Sequence, residues 1–282
     1  MRFFLLLIVA IGFSSCIQLA PDSFSSPYCK DAKMALQWRQ DYATKNNLPL
    51  EYTNELGMKF TLVPPGLYLI GSPSHEKSRN KIETQHLVTL TKGYFVGVTE
   101  VTQKEWGQIN KENPSKFKDD LLPVEHVLFE DAAKFAKDYT KEGNIKYRLP
   151  TEAEWEIACR AGSEAPFSGS DKLNDLGWFH DNAENKPHAV ATKLPNGFGI
   201  YDMHGNVWEW TSDTSAEYPE GSQVDPKISN TGGGNRVKRG GSFATSSTFC
   251  RSAYRNLYAP LVFRQANTGF RLVFDAELLK PQ

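Results

Sequence analysis

The stretch Arg148-Leu149-Pro150-Thr151-Glu152-Ala153-Glu154-Trp155-Glu156-Ile157-Ala158 carries its own start signal. Thr151 is an N-cap residue, and Glu154 three positions on completes a capping box that ties off the first backbone donors of a helix. Gly162 marks its end. Upstream, Glu130 to Thr140 reads as a second helix, with Ala132, Ala133, Phe135 and Ala136 inward and Lys134, Lys137 and Asp138 largely outward. Further back the pattern shortens to strands. Phe60 to Val63 and Leu67 to Ile70 flank the Pro64-Pro65-Gly66 turn, and Val88 to Leu90 and Gly93 to Val98 repeat the arrangement. A short helix over Gln103 to Ile109 follows Thr102. Past Gly162 the chain is rich in Gly, Asn, Pro and Asp with only short apolar runs, which predicts long ordered loops that are functional or held by ions. There is no second hydrophobic pattern that would make a separate domain, and no internal repeat.

With 32 Lys+Arg against 33 Asp+Glu over 282 residues, the net charge is -1. No nucleic-acid role is suggested, because phosphate binding needs clustered cations. Hydrophobic residues at 40% and charged residues at 23% exclude a collagen, a coiled coil and a long disordered tail. Met1-Arg2 precedes an apolar run from Phe3 to Phe13, a length that suits a signal peptide and is too short to span a bilayer. The run ends Phe13-Ser14-Ser15-Cys16, which resembles a bacterial lipoprotein signal. The resemblance implies cleavage after Ser15 and lipidation of Cys16; an ordinary secretory signal cut near Ala20 is the alternative. The expected organisation is a signal peptide over 1–15, a tether and short helical segment over 16–50, a domain over 51–274 and a tail over 275–282. Cys29, Cys159 and Cys250 have wide gaps and no CxxC pair, so they read as buried thiols, or as one disulfide plus a free thiol.

Taken together, Gly57-Met58-Lys59-Phe60, Pro65-Gly66, Val98-Thr99-Glu100-Val101-Thr102, Pro123-Val124, the Arg148 to Trp155 phrase, Gly199-Ile200-Tyr201-Asp202-Met203, Gly205-Asn206-Val207-Trp208-Glu209-Trp210, Arg239-Gly240-Gly241-Ser242-Phe243 and Gly269-Phe270-Arg271-Leu272 resemble the formylglycine-generating-enzyme, or sulfatase-modifying-factor, family. The resemblance covers roughly 51 to 274. It implies a C-type-lectin-like α+β fold with two helices, twisted antiparallel sheets and much ordered loop. The family's oxidase holds Cu(I) between two cysteines five positions apart. Here the second matches Cys250 and the first falls on Thr245, so no copper is expected, because Cu(I) needs soft sulfur ligands. The six histidines contain no i,i+4 pair, which leaves the iron-dependent relatives' chemistry unsupported as well. Relatives also imply a structural Ca2+, with Asn182, Asn185, Asn206 and Glu209 as candidate hard-oxygen ligands. The alternative is that Asn206 closes a turn and Glu209 forms an internal ion pair.

Between Gly240 and Phe274 there is no Lys, Glu, Met or Trp. A strand-rich core explains Leu272 to Phe274, but Phe243 to Phe249 and Leu257 to Phe263 lack two-residue alternation. The segment resembles the variable region of diversity-generating-retroelement proteins. In these, adenine-templated mutagenesis of asparagine codons never yields Lys, Glu, Met, Trp or Gln, and Gln265 is the one residue here that it would not make. That resemblance implies a ligand-binding surface at Phe243, Ala244, Thr245, Ser246, Thr248, Phe249, Tyr254, Leu257, Tyr258, Ala259, Leu261, Val262 and Phe263. Rigid rings interleaved with Ser and Thr suit such a surface. Arg251, Arg255 and Arg271 are expected to scaffold it. The expected protein is a monomeric, non-enzymatic lipoprotein on a bacterial cell surface, held at the membrane by its lipid and binding a protein or cell-surface molecule. The alternatives are an oxidase with an altered site and a structural subunit of an envelope or motility complex.

Overall fold

Capping and apolar spacing place the helices where they fall in the computed structural model, which describes residues 28–29, 31–141, 145–168, 170, 172–229, 234–259 and 262–280. The signal segment 1–15, Cys16 and Leu261 lie outside the described residues. In chain order the elements are α1 (Ala32–Asn46), β1 (Glu51–Thr53), β2 (Lys59–Val63), β3 (Gly66–Ile70), β4 (His86–Leu90), β5 (Tyr94–Gly97), α2 (Gln103–Ile109), α3 (Phe129–Lys141), α4 (Glu152–Arg160), α5 (Leu173–Leu176), β6 (Trp208–Thr214), β7 (Gln223–Val224), β8 (Arg236–Arg239), β9 (Asn256–Ala259), β10 (Thr268–Gly269) and β11 (Val273–Asp275). Three sheets result, ordered β1-β2-β5-β11, β10-β6-β8-β9 and β3-β4-β7. Most pairs are antiparallel, as the resemblance implies, but β6 with β10 and β4 with β7 run parallel. Both parallel partners are two-residue strands, too short to register in the hydrophobic pattern.

The architecture is the α+β, C-type-lectin-like fold of the formylglycine-generating-enzyme type. Helices α1 to α4 fall where the sequence reads helix, and α5 adds to them, so the described residues hold more than the two helices the resemblance implies. Thr102 and Thr151 each make a complete capping box, with Glu105 and Glu154 reaching back to the cap. Helix α3 sets Ala132, Phe135, Ala136 and Tyr139 into a core shared with Phe60, Phe95, Phe270 and Phe274. The Phe135 ring stacks on Trp106 at 5.3 Å between centroids, and Phe95 stacks on Phe274 at 5.1 Å. Each such ring contributes roughly 1.5–3 kcal/mol on burial. Helix α4 is buried along its whole length and anchors a second cluster with Val63, Tyr68, Val88 and Tyr94.

The 16–50 segment reads as a tether and a short helical segment, and the helical residues are those of α1. In the structure they dock on the domain: the Trp38 indole donates to the Pro65 carbonyl at 2.5 Å, and Arg39 donates to the Leu50 carbonyl at 2.9 Å. The α4 terminus abuts α1 so closely that a Cβ on Gly162 would lie 2.6 Å from the Asp31 carbonyl oxygen. Asp31 itself caps α1 by accepting from the Met34 N–H at 2.8 Å. Among the described residues no helix is long and apolar enough to cross a membrane.

Candidate ligand-binding surface

The segment after β8 is pinned from below by arginines. Arg239, fully buried, donates to Glu152 at 3.3 Å, to the Ser252 carbonyl at 2.8 Å and to Glu156. Arg255 closes a fork on Glu152 at 2.5 and 2.7 Å and reaches the Ile82 carbonyl at 3.2 Å. Arg251 grips Glu76 at 2.5 Å and Glu83 at 2.8 Å, and Arg271 holds Glu209 at 2.7 Å through two donors. Bidentate guanidinium–carboxylate pairs fix geometry as well as charge. Burial raises the carboxyl pKa of Glu156, but Arg239 and Arg160 outweigh burial and hold it below the ordinary carboxylate value. The expected scaffolding role of Arg251, Arg255 and Arg271 is therefore what the structure shows.

On this frame the predicted contact residues divide. Ala244 and Ser246 are exposed, and Thr245, Thr248, Phe249 and Tyr254 are half-buried. Val262 and Phe263 stand out at 75% and 66% exposure. The Phe249 and Tyr254 rings meet edge-to-face at 4.9 Å, and Tyr254 in turn lies 5.9 Å from the ring of Trp208. Three residues correct the expectation. Phe243 is buried against Val207, Ala183, Phe117 and Trp178, where it anchors the turn after Ser242. Leu257 and Ala259 are also buried, because alternate positions of β9 face inward where it pairs with β8. Tyr258 lies on β9 between them, and its side chain is not among those described.

Cys250 sits beneath this surface. Its thiol lies against Thr245 and the Ser242 backbone, and burial pushes its pKa up to about 12 despite those hydrogen bonds. Gly241, at φ +75°, leaves room for it: a Cβ there would come within 2.5 Å of the sulfur. Thr245 accepts the Ser242 N–H at 2.8 Å. The pair position of the oxidase is thus occupied by a turn-forming hydroxyl and a neutral thiol. Cys29, Cys159 and Cys250 are all buried.

Three of the four expected calcium ligands are held by protein partners. Asn182 accepts the Phe179 N–H at 2.8 Å, Asn206 accepts the His188 N–H at 3.0 Å, and Glu209 is taken by Arg271 and the Trp155 indole at 2.8 Å. Asn206 does close a turn, at φ 56°, while Asn185 is exposed. Buried oxygens without a partner occur elsewhere, on both arms of Glu100 and on Asp202 Oδ1. Glu100 is pushed well above the carboxylate range by burial and by Asp202, and Asp202 is raised to about 6 by burial. Beside Glu209 these are hard donors of the kind that hold Ca2+, although among the described residues no three His, Cys, Asp or Glu side chains converge as ligands.

Fold and surface define a protein of the formylglycine-generating type with its thiol pair incomplete. The chain belongs to the family described as "Sulfatase-modifying factor enzyme 1-like domain", whose model matches residues 46–276. It is 29% identical over 230 residues to a chaperone protein LppX of Paenibacillus barcinonensis, covering 61% of this chain and 80% of that one. It is 36% identical over 176 residues to the formylglycine-generating enzyme of Streptomyces coelicolor, covering 55% of this chain and 54% of the enzyme. The chain thus spans about half the length of that enzyme. Among solved structures, Treponema denticola variable protein 1 superposes with a TM-score of 0.74 at 28% identity, over 83% of this chain and 100% of that one. PvdO from Pseudomonas aeruginosa shares the fold, with a TM-score of 0.72 at 24% identity, over 80% of this chain and 97% of that one.

Proposed function

We propose that this chain is a non-enzymatic ligand-binding protein whose 240–274 segment presents a diversified surface. One observation carries the reading. Side chains that face out between Gly240 and Phe263 lie on a frame of buried ion pairs that does not depend on them, so their identity can change without loss of the fold. Similarity to a variable protein over nearly the whole domain supports it. The oxidase alternative needs a thiolate and a second sulfur, whereas Cys250 is held neutral and its partner position is Thr245. Incubation with copper and a cysteine-containing sulfatase peptide is expected to give no formylglycine; product would overturn the reading.

A display library randomised at Ala244, Ser246, Thr248, Phe249, Tyr254, Val262 and Phe263 tests the binding role. Most members should fold, and selection against unrelated proteins should return binders. A library dominated by misfolded members would contradict it. The amino-terminal signal and Cys16 support export and lipid anchoring at the cell surface, in keeping with the likeness to the LppX protein and to the variable protein. Calcium, where the relatives use it, would find its partnerless hard donors in Glu100 and Asp202. Millimolar Ca2+ should raise the Tm of the native chain and leave that of Asp202→Asn unchanged; equal responses would remove the ion from the account.

A further inference from the structure

Beneath the surface lies a cation with no carboxylate partner among the described residues. Lys238, on β8, is 2% exposed. Its ammonium donates to Gln265 Oε1 at 2.5 Å and to Thr268 Oγ1 at 3.0 Å, and lies 5.3 Å from the Trp210 ring and 5.9 Å from that of Trp208. Every one of these partners is neutral, and among the described residues no carboxylate pairs with it. That is unlike Arg239, Arg251, Arg255 and Arg271, each of which has its own glutamate. Burying an unpaired ammonium costs several kcal/mol, and a frame that pairs four other buried cations had the means to pair a fifth. Burial alone pushes its pKa down to about 8.

The group that covers Lys238 is the replaceable one. Gln265 is exposed, two residues past Phe263, and its long side chain reaches down to the ammonium. Trp208, on the other side, leads to Tyr254 and Phe249. The adjoining loop has the same sign of charge. Glu76 and Glu83 turn inward to Arg251, which leaves Lys77 and Lys81 on its outer side.

We propose that Lys238 is the anion-recognising residue of the binding surface, and that the protein partner presents a carboxylate side chain that displaces the Gln265 amide oxygen from it. The proposal rests on the binding reading above. A carboxylate oxygen can take the position of an amide oxygen with little rearrangement, and a charge-assisted bond to a desolvated ammonium is stronger than the neutral one it replaces. The cationic outer loop adds attraction for an acidic protein face.

The test follows the lysine side-chain NMR signals of the full chain, with Lys238 assigned by Lys238→Met. N-acetylaspartate methylamide is titrated at constant ionic strength, against N-acetylasparagine methylamide as the neutral match. The acid alone should shift the Lys238 signal and raise its pKa by about one unit or more, as an opposite charge at contact does. Gln265→Glu, which supplies the carboxylate within the chain, should raise the Lys238 pKa, raise the Tm and abolish the response to the acid. Lys238→Met should abolish the response without lowering the Tm. Equal responses to acid and amide, or an unchanged Lys238 titration in Gln265→Glu, would overturn the proposal. Library binders obtained while Lys238 stays silent would overturn it and spare the binding reading. A Lys238 response with no binders from any library would overturn both the reading and the role assigned to Lys238 in it.

Discussion

Glu209 shows how strongly single residues are constrained beneath the surface. Its carboxylate accepts two bonds from Arg271 and one from Trp155, all fully out of water. Glu209→Gln leaves a buried guanidinium uncompensated and should cost about 3–5 kcal/mol, read from the denaturant midpoint. His204 makes a pH-dependent contribution. Its ring bonds the Cys250 carbonyl at 2.8 Å and takes the Ser168 N–H at 3.0 Å, and burial followed by the charge of Arg160 lowers its pKa to about 4. The unfolded chain, with a histidine near 6.5, binds the proton more readily. Stability from this group is therefore present above pH 6.5 and is lost as pH falls towards 4. Between pH 7 and pH 5 the native chain should lose more stability than His204→Gln, a comparison that cancels the opposite contributions of Asp202 and Asp213, both raised to about 6. The arginine roles were legible in the sequence, because long cations amid Ser, Thr and aromatic residues have to find carboxylates elsewhere. The inward direction of Phe243 was not, since a compositional gap says which residues occur and not which way each faces.

At the scale of elements, the capping boxes were the most legible feature. Thr151 and Glu154 satisfy two otherwise orphaned donors of α4 locally, so four residues suffice to read the start. Thr151→Ala should cost about 1 kcal/mol in thermal or denaturant unfolding. Ends are set by what lies across from them: α4 stops at Arg160 with Ala161 left-handed at φ 45°, and Gly162 follows because α1 lies against it. The two-residue strands β7 and β10 exist through parallel pairing with residues far away in sequence, which no local pattern encodes. The same holds for the turn over Cys250. Gly241→Ala would combine a left-handed backbone with a clash on the sulfur, and should destabilise by about 1–3 kcal/mol in the same assay.

Across the whole molecule, one arrangement accounts for the C-terminal segment. Buried glutamates on α4, on β6 and in the 76–83 loop hold Arg239 and three arginines of the segment that follows it, which itself has no Lys or Glu from Gly240 to Phe274, and the described side chains between those arginines divide between core and solvent. The most direct measurement is the sequence of this gene and its surroundings in many isolates. The account predicts substitutions concentrated at AAC- or AAT-derived codons for the outward residues, Ala244, Ser246, Thr248, Phe249, Tyr254, Val262 and Phe263. It predicts unchanged Arg251, Arg255, Arg271, Phe243, Leu257 and Ala259, beside a template repeat and a reverse transcriptase gene. An invariant segment, or substitutions spread evenly over inward and outward positions with no template repeat, would contradict it.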